Sequence, residues 1–181
     1  MSSLLISALA KRFENADLAA FTAVHKGCWI IWEPGSWKPP TGRSATTLMP
    51  MGNAPAPRPP AAVPSPSAEA LAFTLVPKSP GATEVTLGRN DSCDLVINDA
   101  TLSGTHLLFN LAAGGEWMVR DAGSSNGSVL DGQPLGNLFA AALRDSASLR
   151  AGQVLLTFFK PAGMLRRLKA AGALAALAAK R

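Results

Sequence analysis

Tyrosine is missing from all 181 residues, so the aromatic share of any core falls to seven Phe and four Trp. Only two cysteines occur, Cys28 and Cys93, far apart and without CxxC spacing. That excludes a disulfide framework and a zinc site, and it fits a reducing compartment. No run reaches the roughly 18 apolar residues that a spanning helix needs, which argues against stable membrane insertion. The N-terminal MSSLLISALAKRF has a short apolar run, but its positive charges follow that run instead of preceding it. This is the wrong order for a secretory signal, so a cytoplasmic location is expected and the triplets at Asn90 and Asn126 carry no glycosylation meaning. GxxxxGK[ST] is absent, and the one GxSxG spelling, Gly123 to Gly127, is a turn into a strand with no helix after it, so neither a phosphate loop nor a nucleophile elbow is indicated.

The charge is unevenly shared. Residues 1–68 carry six basic and three acidic side chains, residues 69–161 six and nine, and residues 162–181 five and none. The net +5 therefore comes from the ends, while the middle is mildly acidic. A nucleic-acid-binding fold would concentrate Lys and Arg on its folded body, so no nucleic-acid partner is expected. A hydrophobic content of 48% rules out a wholly disordered chain.

Leu5, Ile6, Leu9, Phe13 and Ala16 fall on one side of a helical wheel, with Ser2 or Ser3 as candidate N-cap. Asn15 or Asp17 can cap a second short helix whose face carries Leu18, Phe21, Val24 and His25, with Gly27 as its stop. Cys28 to Trp32 is an apolar burst with strand character, halted by Pro34-Gly35. These elements form an expected N-terminal unit over 1–48, rich in Trp and too small to be comfortable alone, so it should dock on something. Residues 50–68 hold seven prolines in 19 positions. Proline at that density favours extended polyproline II, so 49–68 is expected to act as a semi-rigid linker.

From Leu71 onward short Val-, Leu-, Ile-, Phe- and Trp-rich runs recur, punctuated by Gly, Asp, Asn and Pro. Strands are expected at 71–76, 83–88, 94–97, 105–111, 116–120, 127–130, 147–149 and 153–159. Many short strands with turn signals predict an antiparallel sandwich over 69–161. The Ala- and Leu-rich tail, 162–181, should be a basic helix. Its Leu165 and Leu168 lie opposite Leu174 and Leu177 on the wheel, which predicts loose docking or fraying.

Three turns in the β region carry polar side chains of interest. They are Leu87 to Asp94 with its Gly88-Arg89 pair, Leu102 to His106, and Asp121 to Gly127, the last with Asn126-Gly127 suited to positive φ. Singly, each is an ordinary turn. In this order and spacing, with Gly-Arg, Ser-x-x-His and Gly-Ser-x-Asn-Gly, they resemble the forkhead-associated (FHA) domain family. The likeness extends to Asp94 through Ile97 and to Asp131-Gly132, and covers roughly residues 71–160.

The resemblance implies a mainly β protein, an eleven-stranded antiparallel FHA β-sandwich flanked by the helical N-terminal unit and the C-terminal helix. Its loops would bind a phosphothreonine-containing protein, with no cofactor, no metal and no catalysis. A phosphate near pH 7 carries almost two negative charges and three acceptor oxygens. Arg89 would meet it with directed donors, each charge-assisted bond contributing roughly 1.5–3 kcal/mol. By the same resemblance Ser103 adds a hydroxyl donor and Asn126 holds the peptide backbone. Ser125 stands where the family usually has Thr, lining the place of the threonine methyl. Gly88, His106 and Gly127 support the loops. Two departures stand out: Gly104 replaces a frequent Arg, predicting weaker affinity or altered selectivity, and Ser146-Ala147 replaces a frequent Gly-Asp.

An enzyme reading of Ser103 and His106 has no suitably placed Asp behind it. The alternative function is a phosphorylation-independent scaffold using the sandwich and the N-terminal helices. The phosphopeptide reading places the chain in Ser/Thr kinase signalling, and its Ala-, Gly- and Pro-rich composition looks bacterial. Oligomeric state and the partner's identity are not legible.

Overall fold

The computed structural model describes residues 3–33, 70–79 and 81–179. In chain order the elements are β1 (Leu4–Leu5), α1 (Ile6–Arg12), α2 (Leu18–Val24), β2 (Trp29–Trp32), β3 (Leu71–Thr74) and β4 (Glu84–Gly88). They continue with β5 (Leu95–Val96), β6 (Leu107–Leu111), β7 (Trp117–Asp121), β8 (Ser128–Leu130), β9 (Gln133–Pro134) and β10 (Ala141–Ala142). The last are β11 (Ser148–Ala151), β12 (Val154–Phe159) and α3 (Pro161–Ala178). One sheet has seven strands in the order β1-β3-β2-β12-β11-β8-β9, and the other has five, β10-β7-β6-β4-β5.

Alternation along the strands explains the layering. Val85, Leu87, Phe109, Val119, Leu149 and Phe158 point between the two sheets and form the sandwich core. β2 is buried on both faces because it serves two cores. Ile30 and Trp32 enter the sandwich, whereas Trp29 and Ile31 face a second cluster built with Ile6, Phe21 and the buried side of α3. The helices thus form a third layer on the outer face of the seven-stranded sheet.

Four expectations change. Among the described residues there are twelve strands, not eleven: ten from Leu71 to Phe159, and β1 and β2 from the N-terminal segment. The sandwich is not wholly antiparallel: β4 and β5 pair in parallel through Leu87 with Leu95 and Gly88 with Val96. Ser3 does not cap α1, whose N-cap is Leu5 without a side-chain bond, because Leu4 and Leu5 are recruited to pair with Ala72 and Leu71. The tail is not loosely docked. Met164, Leu165, Leu168 and Ala171 are buried, and only the last turns, with Leu174 and Leu177, are exposed. The wheel put leucines on opposite sides because the helix docks over its first half alone.

Asp17 caps α2, accepting from the Ala20 amide at 2.8 Å. The helix ends at His25, short of Gly27, and Leu18 and Val24 are exposed while Phe21 is buried. His25 lies against Phe13, Phe21 and Trp29, with ring centroids 5.1–5.3 Å apart. α3 begins with Pro161 after Lys160, whose amide donates to Asp145 at 2.9 Å, so Asp145 from another segment does the capping. A buried ion pair joins Arg167 of α3 to Glu33 at 3.3 Å, and Glu33 also accepts from the Thr157 hydroxyl at 3.1 Å.

β2 sits between β3 and β12, with Trp32 opposite both Leu71 and Leu156. The N-terminal unit drawn over 1–48 is therefore part of the seven-stranded sheet as far as Trp32. The chain leaves that sheet after Trp32 and rejoins it at Leu71, directly opposite, so both ends of the intervening segment emerge at one place. The expected linker 49–68, and Trp37 with it, lie outside the described residues. No described helix is long and apolar enough to cross a membrane.

Candidate phosphate-binding rim

The turns following β4, preceding β6 and following β7 meet at one end of the sandwich. Arg89 leaves β4 with its amide donating to the Ser103 carbonyl at 3.0 Å, and the Asn90 amide donates to the Gly104 carbonyl at 3.0 Å. This close approach requires Gly88. A Cβ there would lie 2.1 Å from the Gly104 oxygen, a collision with backbone that no side-chain rotation relieves. Gly104 in turn faces the Asn90 side chain, 2.7 Å from where its own Cβ would stand. The Arg guanidinium is half-buried and forms no hydrogen bond or ion pair among the described residues.

Ser103 is fixed through three of its groups. Its carbonyl accepts from Arg89, its amide donates to Nδ1 of His106 at 3.0 Å, and its Oγ accepts from the Ser125 amide at 3.0 Å. The hydroxyl proton is left to donate outward. Ser125 is exposed, and Asn126 is anchored by Nδ2 donating to the Thr101 carbonyl at 2.8 Å, which leaves its amide oxygen and second N–H for a ligand. Thus Arg89, Ser103, Ser125 and Asn126 come from three turns and are brought together, none of them sealed inside.

His106 is fully buried and works behind the rim. With Nδ1 accepting from Ser103, Nε2 carries the proton and donates to the Gly127 carbonyl at 3.2 Å. It therefore fastens the second turn to the third. Burial holds its pKa below the ordinary 6.5, prevailing over the Gly127 carbonyl and the Asp121 carboxylate, which pull upward. Gly127 has φ +68 and its carbonyl also receives the Gly152 amide at 3.0 Å. A side chain at Gly127 would be strained by that φ alone.

Sequence reasoning placed Asp121 at the start of the third turn but gave it no role. Its buried carboxylate accepts from the Gly123 amide at 2.8 Å, the Ser124 amide at 2.6 Å, the Ser124 hydroxyl at 2.8 Å and the Ser128 hydroxyl. Burial pushes this carboxyl up, but the bonds from Ser128 and Ser124 outweigh it and leave it below the ordinary 3.8. Thr101 was missed. Asp99 accepts from its amide at 2.8 Å and its hydroxyl at 2.6 Å, and Thr101 Oγ1 receives the Gln153 amide at 3.0 Å. An Asp followed two or three residues later by Ser or Thr is the available signal, since a carboxylate that bonds its own downstream amides folds the chain into a turn. Among the described residues no cluster of three His, Cys, Asp or Glu side chains can hold a metal ion.

None of the curated proteins matches this chain. Solved structures that it resembles include the N-terminal FHA domain of Rad53p from S. cerevisiae, in complex with a phosphothreonine peptide. That likeness has 27% identity over 46% of this chain and 72% of the other, with a TM-score of 0.41. An FHA domain of a hypothetical protein from Arabidopsis thaliana is similar at 26% identity over 49% and 73%, TM-score 0.43. The FHA domain of CT664 from Chlamydia trachomatis is similar at 19% over 49% and 83%, TM-score 0.41. The FHA domain family model matches residues 85–152, the segment that supplies all three turns of the rim, and the chain carries an FHA domain there.

Proposed function

We propose that this protein is a phosphothreonine-dependent interaction module acting in Ser/Thr kinase signalling. The observation that carries the reading is the state of the three polar side chains at the rim. Each is positioned by its backbone or by one anchor, and each retains hydrogen-bonding capacity that no described residue uses. Arg89 supplies the cation, Ser103 a neutral donor, and Asn126 a paired donor and acceptor for an extended peptide backbone. Ser103 and His106 do not work as nucleophile and base, because Nδ1 of the imidazole is spent on the Ser103 amide and not on its hydroxyl. A doubly charged group is therefore bound and released unchanged.

Preorganisation supports the same conclusion. Ser103 is held at three points, so little ordering remains for the ligand to drive, and more of each contact appears as affinity. Position 104 lacks a second cation, which leaves Arg89 as the principal electrostatic anchor. The test is a titration of full-length protein with an oriented phosphothreonine peptide library and its unphosphorylated counterpart. Arg89→Ala should lose roughly ten- to hundredfold of the phosphopeptide affinity while thermal unfolding stays unchanged. Equal binding of both libraries, or an unaffected Arg89→Ala protein, would overturn the proposal in favour of a phosphorylation-independent scaffold.

A further inference from the structure

The last turns of α3 and its C-cap, Ala173 to Ala179, are exposed at every position, and every residue there is Ala or Leu. Leu174 is 45% and Leu177 64% exposed. The docking of the helix explains where this exposure begins. Met164, Leu165, Leu168 and Ala171 are buried in the cluster shared with α1 and the sheet, and beyond Ala171 the helix runs on past that cluster. Single exposed leucines are common on protein surfaces and mean little. A surface helix, however, ordinarily sets a polar face against an apolar one, and a helix that is apolar all round belongs in a protein core or in lipid. This segment is apolar all round and is not in the core.

The charges around it are of one sign. From Ser146 to Arg181 the sequence carries seven Lys or Arg and no Asp or Glu. On a helical wheel Arg166, Lys169, Ala170, Ala173 and Leu177 share the side turned away from the buried Met164, Leu168 and Ala171, and all five are exposed. Arg166 meets Asp145 at 2.7 Å, whereas Lys169 forms no ion pair among the described residues. Lys180 and Arg181 follow in the sequence. α1, which packs along α3, adds exposed Lys11 and Arg12, against exposed Glu14 and Asp17 in the same layer. The helical layer is therefore net basic on a molecule whose sandwich is mildly acidic.

We propose that the free half of α3 docks on a bilayer surface of anionic phospholipid, with Ala173, Leu174 and Leu177 at the boundary between headgroups and acyl chains and Lys169 reaching up to the headgroups. No described helix is long and apolar enough to cross a membrane, so the segment lies on the surface. Its seven residues span about 10 Å, and an interfacial helix sinks about 5–10 Å into that boundary, so these turns settle there while the docked half keeps its contacts. Two protein occupants fit less well. A groove on another protein covers one side of a helix and would leave the opposite Ala and Leu in water. A second copy docking through the same helix would set Arg166 and Lys169 against their counterparts, with no carboxylate on α3 to neutralise them. Each basic side chain near an anionic surface strengthens binding about fivefold, and the two leucines contribute about tenfold together.

The experiment is flotation of the full chain with vesicles of phosphatidylcholine alone and of phosphatidylcholine mixed equally with phosphatidylglycerol. The wild type should partition about tenfold or more in favour of the anionic vesicles, and added salt should weaken that preference. Leu174→Gln/Leu177→Gln and Lys169→Gln/Lys180→Gln/Arg181→Gln should each lower binding to the anionic vesicles about tenfold. The thermal midpoint of the leucine variant should stay unchanged, because both side chains are exposed. Absence of binding to anionic vesicles, equal binding to neutral ones, or binding that survives either set of substitutions overturns the proposal. Self-association of the wild type that Leu174→Gln/Leu177→Gln abolishes, without vesicle binding, overturns it as well and assigns the surface to a second copy.

Discussion

Ser103 shows how much a single residue at the rim depends on its neighbours. Its carbonyl, amide and hydroxyl oxygen are each engaged by a different segment. A second residue shows the opposite, a local misfit that the fold overrides. Ser146 adopts φ +67 in the turn between β10 and β11, a conformation that L side chains reach at a cost of about 1–2 kcal/mol. The FHA family often has Gly at this place, and the backbone conformation gives the physical reason. Ser146→Gly should therefore stabilise the protein by about 0.5–1 kcal/mol, after the larger backbone entropy that Gly gains on unfolding is allowed for. Thermal unfolding would register a higher midpoint, and a lowered one would contradict the strained turn. At this scale the sequence was highly legible, because Gly88, Arg89, Ser103, His106 and Asn126 fall in a spaced pattern that turns alone do not produce. The role of Asp121 escaped because it is carried by burial and by bonds to Gly123, Ser124 and Ser128, none of which leaves a periodicity.

Strands of three or more residues were legible from alternation and turn chemistry, and so was the short β5 within the expected 94–97, whereas three other two-residue elements were not. β1, β9 and β10 exist because partner strands recruit them, as Val119 and Met118 recruit Ala141 and Ala142. The place of β2 was the larger surprise. Trp29 to Trp32 reads as a uniformly apolar run, and only the packing of two cores against its two faces explains why all four side chains are buried. Because Trp32 and Leu71 are paired, the described residues on either side of the intervening segment lie on adjacent strands. Replacing residues 35–68 with a turn of about six residues should leave the fold intact and stabilise it by roughly 1–2 kcal/mol through lower closure entropy. Denaturant unfolding of the shortened chain tests this. A collapse of cooperative unfolding would show that the segment contributes contacts that the β2–β3 register does not require.

For the molecule as a whole, the helical layer, the seven-stranded sheet and the five-stranded sheet are joined by polar as well as apolar contacts. The Glu33–Arg167 pair with Thr157 links the N-terminal segment, α3 and β12 in one buried group. No sequence pattern announces a contact between positions so far apart. Acid sensitivity is a property of this whole. The chain has two histidines, and both have pKa values held below 6.5: His25 by burial and then the Arg12 charge, His106 by burial. The unfolded chain binds these protons first, so their contribution to stability is complete above pH 6.5 and declines as pH falls towards the folded values. Asp121, held below 3.8, adds a further loss at still lower pH. His25→Phe should flatten the decline between pH 7 and 5 without disturbing the rim, since Nε2 of His25 is buried among aromatic rings with no hydrogen-bond partner among the described residues. An unchanged pH profile in that variant would contradict the assignment. The central claim is tested most directly by adding free O-phosphothreonine, and separately threonine, to isotope-labelled full-length protein and following backbone amide shifts. The account predicts saturable shifts at Arg89, Ser103, Ser125 and Asn126 with phosphothreonine and none with threonine. Shifts that are equal for both compounds, or that fall on another face of the sandwich, would contradict it.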